Sequence, residues 1–312
     1  MFDSLHISEN QELDLPELEE RNIRLFIKRE DQIHSEVSGN KFRKLKYNLL
    51  EAKEKGFGKL LTFGGAYSNH ILATAVAGHL NNFETIGIIR GEELGENLAK
   101  TIEENSTLKQ ASQYGMKFVF ISREAYRNKT SPSLINSLKN QFDNFYLIPE
   151  GGTNELAIKG CEEILTKQDT QFDYICSCVG TGGTIAGLIN SSQKHQKVLG
   201  FPALKGDFLI NEIKTMVGDK KNWELVSEYH FGGYSKYDDR LIEFINEFRQ
   251  RTSILLDPIY TGKMLYGILD MIQKNQLLEG SKILVIHTGG IQGITGFNQR
   301  LQNKGSQLRI NI

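Results

Sequence analysis

The chain has 312 residues, 39% of them hydrophobic and 24% charged, with a formal net charge of -1. This length suggests one large domain or two of ordinary size, with a composition able to bury a sizeable core. A near-neutral charge supplies no global field towards nucleic acid or an anionic membrane, and no apolar run approaches the roughly 20 residues of a membrane helix.

The opening stretch "MFDSLHISENQELDLPELEE" is acidic and lacks the apolar run of a signal peptide, so a cytoplasmic location is expected. From Leu25 onwards, short apolar runs alternate with amphipathic stretches. The strand-like runs are "RLFIKRE", "KLLTFGG", "TIGIIRG", "MKFVFIS", "NFYLIPEGG", "YICSCVG", "KVLGFPAL" and "KILVIHTGG". The alternation predicts the α/β class, with parallel-type sheets flanked by helices. Several runs end in glycine, at Gly64-Gly65, Gly91, Gly151-Gly152, Gly180 and Gly289-Gly290. Strand ends of this kind are where such sheets bind ligands, although tight strand-to-helix turns also need glycine.

The first predicted helix begins at Asn40, where Phe42, Leu45, Leu49 and Ala52 recur at steps of three and four and Gly56 is a stop. Lys41, Arg43, Lys44 and Lys46 crowd its start. At 100° per residue, with Lys41 at zero, the apolar stripe covers roughly 20° to 100°. Lys41 and Lys44 then flank one margin and Lys46 the other, while Arg43 points to solvent. The charges do not form the single stripe that nucleic acid would need. Lys41 lies in the first helical turn, where the dipole, a neighbouring lysine and partial burial lower an amine's pKa towards nucleophilicity. A plain surface lysine is the competing reading.

Next comes "TFGGAYSNHILATAVAGHL". The hydrolase elbow G-x-S-x-G is absent, because positions 66 and 70 are Ala and His. Ser68 or Asn69 can cap the following helix, or the loop can present donors to a carboxylate. Further on, Cys161, Cys176 and Cys178 have no zinc spacing and read as buried small residues of a reducing compartment. "CVGTGGTIAG" runs from a strand through Gly180, Thr181, Gly182, Gly183 and Thr184 into a helix. Unobstructed N–H groups, two hydroxyls and a helix N-terminus make an anion cradle. Ile185 spoils a dinucleotide fingerprint and no G-K-[ST] follows, leaving a compact phosphate monoester or a plain tight turn. In "LLDPIYTGKMLYGI", Thr261 fits a helix N-cap after Tyr260. "HTGG" closes the last strand. Seven scattered histidines show no paired ligand spacing, so no catalytic metal is predicted.

Taken together, "GNKFRKL", "GGAYSNH", "GTGGTIAG", "DPIYTGK" and "HTGG", in this order over nearly the whole chain, resemble the tryptophan-synthase-β-like (fold type II) pyridoxal-phosphate enzymes. More narrowly, the chain is similar to the 1-aminocyclopropane-1-carboxylate deaminase and D-cysteine desulfhydrase family. The resemblance implies pyridoxal 5'-phosphate as cofactor, a small amino-acid substrate and a homodimer. It also implies a small α/β domain at 46–155, inserted into a large cofactor-binding domain of 1–45 and 156–312. Lys41 would be the Schiff-base lysine, Lys44 a phosphate contact and Gly180 to Thr184 the phosphate loop. Asn69 would hold the pyridoxal hydroxyl and Ser68 the substrate carboxylate. Tyr234, in "HFGGYSK", and Tyr260 would line the substrate side, and Thr261 would face the pyridine nitrogen.

Ring-opening deaminases typically place Glu at that last position, whereas the desulfhydrase branch has Thr, as here. The resemblance therefore favours α,β-elimination from D-cysteine over deamination of aminocyclopropane carboxylate. Elimination from cysteate and a phosphate-ligand binding protein without covalent chemistry are the alternatives. Tyr67 stands where the family commonly has Gln, and Leu72 where a basic residue is common; both are expected near the substrate carboxylate.

Overall fold

The computed structural model describes residues 6–37 and 39–312. Among these residues ten strands form two sheets: β1 (Asn10–Leu13), β2 (Arg24–Lys28), β3 (Lys59–Gly65), β4 (Glu84–Arg90), β5 (Lys117–Ile121), β6 (Tyr146–Ile148), β7 (Tyr174–Val179), β8 (Lys197–Pro202), β9 (Trp223–Leu225) and β10 (Lys282–Ile286). One sheet has the order β1-β2-β10-β7-β8-β9 and the other β5-β4-β3-β6. Every pairing is parallel except that of β1 with β2.

The eight strand-like runs of the sequence all form strands, and all pair in parallel. Their unbroken apolar character follows from helical cover on both faces, and β7 is buried along its whole length. Each sheet accordingly carries an apolar cluster on either side. Strands β1 and β9, which the sequence reading passes over, are a polar four-residue and a three-residue piece at the two edges of the larger sheet. Edge strands bond on one side only and need little apolar patterning.

Six helices position the site: α1 (Asn40–Glu54), α2 (Asn69–Leu80), α3 (Glu155–Glu162), α4 (Gly183–Ser191), α5 (Thr261–Gln273) and α6 (Ile294–Asn303). In α1, Phe42, Leu45, Leu49 and Ala52 join the core of the smaller sheet, and Gly56 takes the left-handed conformation after the helix end.

The expectation that Arg43 points to solvent is wrong. Arg43 is 1% exposed, because α3 lies over that face of α1. The approach is so close that a Cβ on Gly160 would stand 2.0 Å from the Arg43 carbonyl oxygen. The buried guanidinium bonds both Glu30 oxygens, at 3.0 and 2.9 Å, and the His6 carbonyl at 2.9 Å. Lys46, on the other margin of the stripe, donates to Glu163 at 2.7 and 2.8 Å.

Candidate active site

The glycine ends of β3, β7 and β10 meet at one cleft, at the carboxyl ends of the strands where open α/β sheets bind ligands. Its floor is a cavity of about 90 Å³, bordered by Lys41, Lys44, Ser68, Asn69, Gly180–Thr181 and Tyr260. It opens into a second cavity of about 510 Å³ that shares Ser68, Asn69, Tyr234 and Tyr260 and adds Arg90 and Arg300. Thr261 is fully buried at the start of α5 and lines neither cavity.

Lys41 stands in the first turn of α1, its Nζ 3.0 Å from the Asn40 side-chain oxygen. Among the described residues no carboxylate pairs with it, and desolvation holds its pKa below the ordinary lysine value. The turn before it requires glycine: Gly39 has φ +67°, and a Cβ there would lie 1.9 Å from the Thr288 carbonyl oxygen. The backbone of "HTGG" thus presses directly on that of "GNK".

Lys44 lies one turn further on, 2% exposed. Its Nζ reaches three neutral acceptors: Thr153 Oγ1 at 2.9 Å, the Gly151 carbonyl at 3.1 Å and Thr181 Oγ1 at 3.3 Å. Burial first, and then the charge of Lys41, lower its pKa to about 7. Around this ammonium, Gly182 adopts φ +80° and Gly183 opens α4, where a Cβ would come 3.3 Å from Lys44 Nζ. Thr184 Oγ1 accepts from the Asn40 amide at 2.8 Å. A buried cation without a counter-ion, beside free N–H groups at a helix start, fits a phosphate.

Ser68 is the N-cap of α2, its hydroxyl accepting from the His70 N–H at 3.2 Å. Asn69 begins that helix, and a Cβ on Gly290 would meet its amide nitrogen at 2.9 Å. His70 is buried, with Nε2 2.8 Å from Thr62 Oγ1, which itself donates to the Ile148 carbonyl. The imidazole therefore donates from Nε2, leaving Nδ1 without a partner at the cleft, and burial keeps its pKa well below 6.5. Tyr67 lines the cleft as expected, but Leu72 is 5% exposed in the apolar core and lines neither cavity. The next turn of α2 carries its side chain inward.

At α5, Thr261 is not the N-cap; Tyr260 holds that position, and Asp257 does the capping. Its carboxylate accepts the N–H groups of Ile259, Tyr260 and Thr261 at 2.9, 3.0 and 2.8 Å and the Thr261 hydroxyl at 2.8 Å. Tyr260 and Tyr234 meet edge to face, their ring centroids 6.3 Å apart. Burial raises the Tyr260 pKa well above the usual phenol value. Thr153 and Asp257 were missed from sequence. The Asp-Pro pair of "DPIYTGK" marked Asp257 as a turn former; nothing local marked Thr153.

A family model described as "Pyridoxal-phosphate dependent enzyme" matches residues 4–289. The chain belongs to that family. Its cofactor is pyridoxal phosphate, for which Lys41, Lys44 and the Gly180–Thr184 loop offer an amine and an anion cradle. Among relatives, the bifunctional D-cysteine desulfhydrase/1-aminocyclopropane-1-carboxylate deaminase of Arabidopsis thaliana is 33% identical over 294 residues, 86% of this chain and 73% of that protein. A solved "ACC deaminase homologue" superposes with a TM-score of 0.79 at 29% identity, covering 96% and 95% of the two chains. A hydrogen sulfide-producing enzyme of Fusobacterium nucleatum shares the fold, with a TM-score of 0.66 at 16% identity over 93% and 98% of the chains.

Proposed function

We propose that the protein is a lyase that removes the α-proton of a small amino acid and expels its β-substituent. D-cysteine is the preferred substrate, giving, with water, pyruvate, ammonia and sulfide. The observation that carries this reading is the Lys41 amine, desolvated and without a carboxylate, one turn from the Lys44 anion cradle. Pyridoxal phosphate, when bound, supplies an electron sink for the pair left by the departing proton.

The residues divide the remaining work. Lys41 Nζ holds the cofactor and, once freed, takes the proton from Cα, for which a lowered pKa is suited. Lys44 and the Gly180–Thr184 loop hold the phosphate, and Asn69 holds the pyridoxal hydroxyl. Ser68, at the start of α2, takes the substrate carboxylate. Tyr260, which stays protonated, donates towards the leaving sulfur, and Tyr234 closes the same side. Position 261, where the ring-opening branch typically carries Glu, holds Thr, whose hydroxyl is taken up by Asp257 and lines neither cavity. That supports departure of a good leaving group over opening of a cyclopropane ring. The motif resemblance also supports a cytoplasmic homodimer with the 46–155 segment as its smaller domain; sedimentation of the purified protein reads the dimer.

Sulfide release from D- and L-cysteine by purified protein tests the substrate, and absence of sulfide from both overturns it. Borohydride reduction followed by peptide mapping is expected to leave a pyridoxyl label on Lys41. A label elsewhere removes Lys41 from the role, and no label removes the covalent reading.

One observation favours a second substrate, cysteate. Among the described residues lining the larger cavity, Arg90 has no anionic partner: its guanidinium lies over the Tyr126 ring at 5.8 Å. Neighbouring Glu150 is engaged by the Tyr126 hydroxyl at 2.7 Å and by Lys129 at 3.1 Å. A sulfonate on Cβ would find a cation there. Sulfite release from cysteate that falls in Arg90→Met, with sulfide release unchanged, identifies this substrate.

A further inference from the structure

Four lysine and arginine side chains among the described residues are no more than 2% exposed: Lys28, Arg43, Lys44 and Lys263. Burying a cation is costly unless it is paired, and two of them are paired. Lys28 meets Asp169 at 2.9 Å, and Arg43 meets Glu30 at 2.9 Å. Lys44 is accounted for by the phosphate cradle. Lys263, the last residue of "DPIYTGK", has neither a carboxylate partner nor a place against either cavity.

Its Nζ donates instead to two backbone carbonyls, those of His230 and Gly233, at 2.9 Å each. Both belong to the loop that delivers Tyr234 to the cleft. The backbone of this loop is unfavourable: Phe231, Gly232, Gly233 and Ser235 have φ values of 52°, 87°, 112° and 57°. Left-handed conformations at non-glycine residues such as Phe231 and Ser235 are strained and persist only where the surroundings impose them. Two imposed contacts are present. Lys263 holds the loop before Tyr234, and Arg300, on α6, bonds the Ser235 hydroxyl and carbonyl at 2.5 and 2.8 Å just after it. Tyr234 itself remains 44% exposed, so little packing holds it.

We propose that Lys263 is a positioning residue: it fixes the His230–Ser235 loop so that Tyr234 meets Tyr260 over the reacting carbon. It touches neither substrate nor cofactor and acts through Tyr234. Its catalytic consequence rests on the amino-acid lyase reading given above; its effect on the loop does not.

Four holoenzymes decide the matter: wild type, Lys263→Met, Tyr234→Ala and the double variant. Lys263→Met should lower D-cysteine kcat/KM by about 10²-fold, the cost of a misplaced group. The double variant should be no slower than Tyr234→Ala alone, because residues acting as one unit are non-additive. Hydrogen exchange at the Gly233 and Lys236 amides, bonded within the loop at 3.0 and 3.1 Å, should quicken in Lys263→Met while α1 amides keep their wild-type rates. Losses that multiply in the double variant, or unchanged loop exchange, overturn the proposal. Exchange is read without substrate, so a wild type that releases no sulfide rejects the substrate while the loop is still decided. Should Lys263→Met fail to fold, Arg300→Met frees the same loop from its other end. Because Arg300 also lines the larger cavity, the readout there is exchange: the Gly233 and Lys236 amides should quicken, and unchanged exchange overturns the proposal.

Discussion

Arg43 and Lys46 share one and a half turns of helix with Lys41 and Lys44, and the two pairs have opposite surroundings. The first pair meets carboxylates, Glu30 and Glu163. The second pair meets hydroxyls, an amide oxygen and a carbonyl. A cation with a carboxylate is satisfied and belongs to the architecture. Lys41 and Lys44, which border the cleft without one, are held in readiness for something the folded chain does not itself contain. The difference arises from what covers each face: α3 and the Glu30 turn on one side, glycine loops on the other.

The sharpest way to break this comparison is Lys41→Ala. Loss of the amine should cost about 10²–10⁴-fold in turnover and abolish the borohydride label, with the folded state retained. Intact sulfide release would end the distinction. Next in size is Glu30→Gln, which leaves the Arg43 guanidinium buried and half-paired. It should destabilise the fold by about 3–5 kcal/mol in denaturant titration, with cofactor affinity of the folded fraction unchanged.

Lys44→Met should weaken cofactor binding by about 1.5–3 kcal/mol, the worth of a charge-assisted bond, read by equilibrium dialysis. The same variant exposes a pH effect whose sign is fixed. The Lys44 pKa is about 7 in the folded apoprotein, against 10.5 when unfolded, so between those values the unfolded chain binds the extra proton. Wild-type apoprotein should therefore gain stability relative to Lys44→Met as pH rises from about 7 to 10.5. A difference flat across that window would mean that the amine is not desolvated. The smallest effect belongs to Lys46→Met, whose partner Glu163 is partly solvated; no more than about 1 kcal/mol should be lost.

Much of this was legible in the sequence because parallel strands covered on both faces are written as apolar runs ending in glycine. The ends of β3, β7 and β10 fell where "KLLTFGG", "YICSCVG" and "KILVIHTGG" put them. The periodicity of α1 gave its buried stripe correctly but not the fate of Arg43. Helical angle reports one apolar face, and nothing in it announces that α3 will cover the other. Lys263 was unreadable for a related reason. Its partners are carbonyl oxygens some thirty residues earlier, and backbone atoms leave no mark on residue choice. Thr153 reaches Lys44 only through tertiary closure, and the capping by Asp257 passed to Thr261 because both side chains suit a helix start.

The position of β10 has a consequence for how the molecule comes into being. It lies between β2 and β7, so the middle of the larger sheet is the last of that sheet's six described strands to be made. Until residues 282–286 are made, β2 and β7 each present an open edge, a template for wrong pairing. The Gly39–Thr288 contact cannot form either, so the backbone turn before Lys41 waits for residue 288. A nascent chain is therefore expected to shape the turn before Lys41 only after both open edges have been filled and the Thr288 backbone has been supplied.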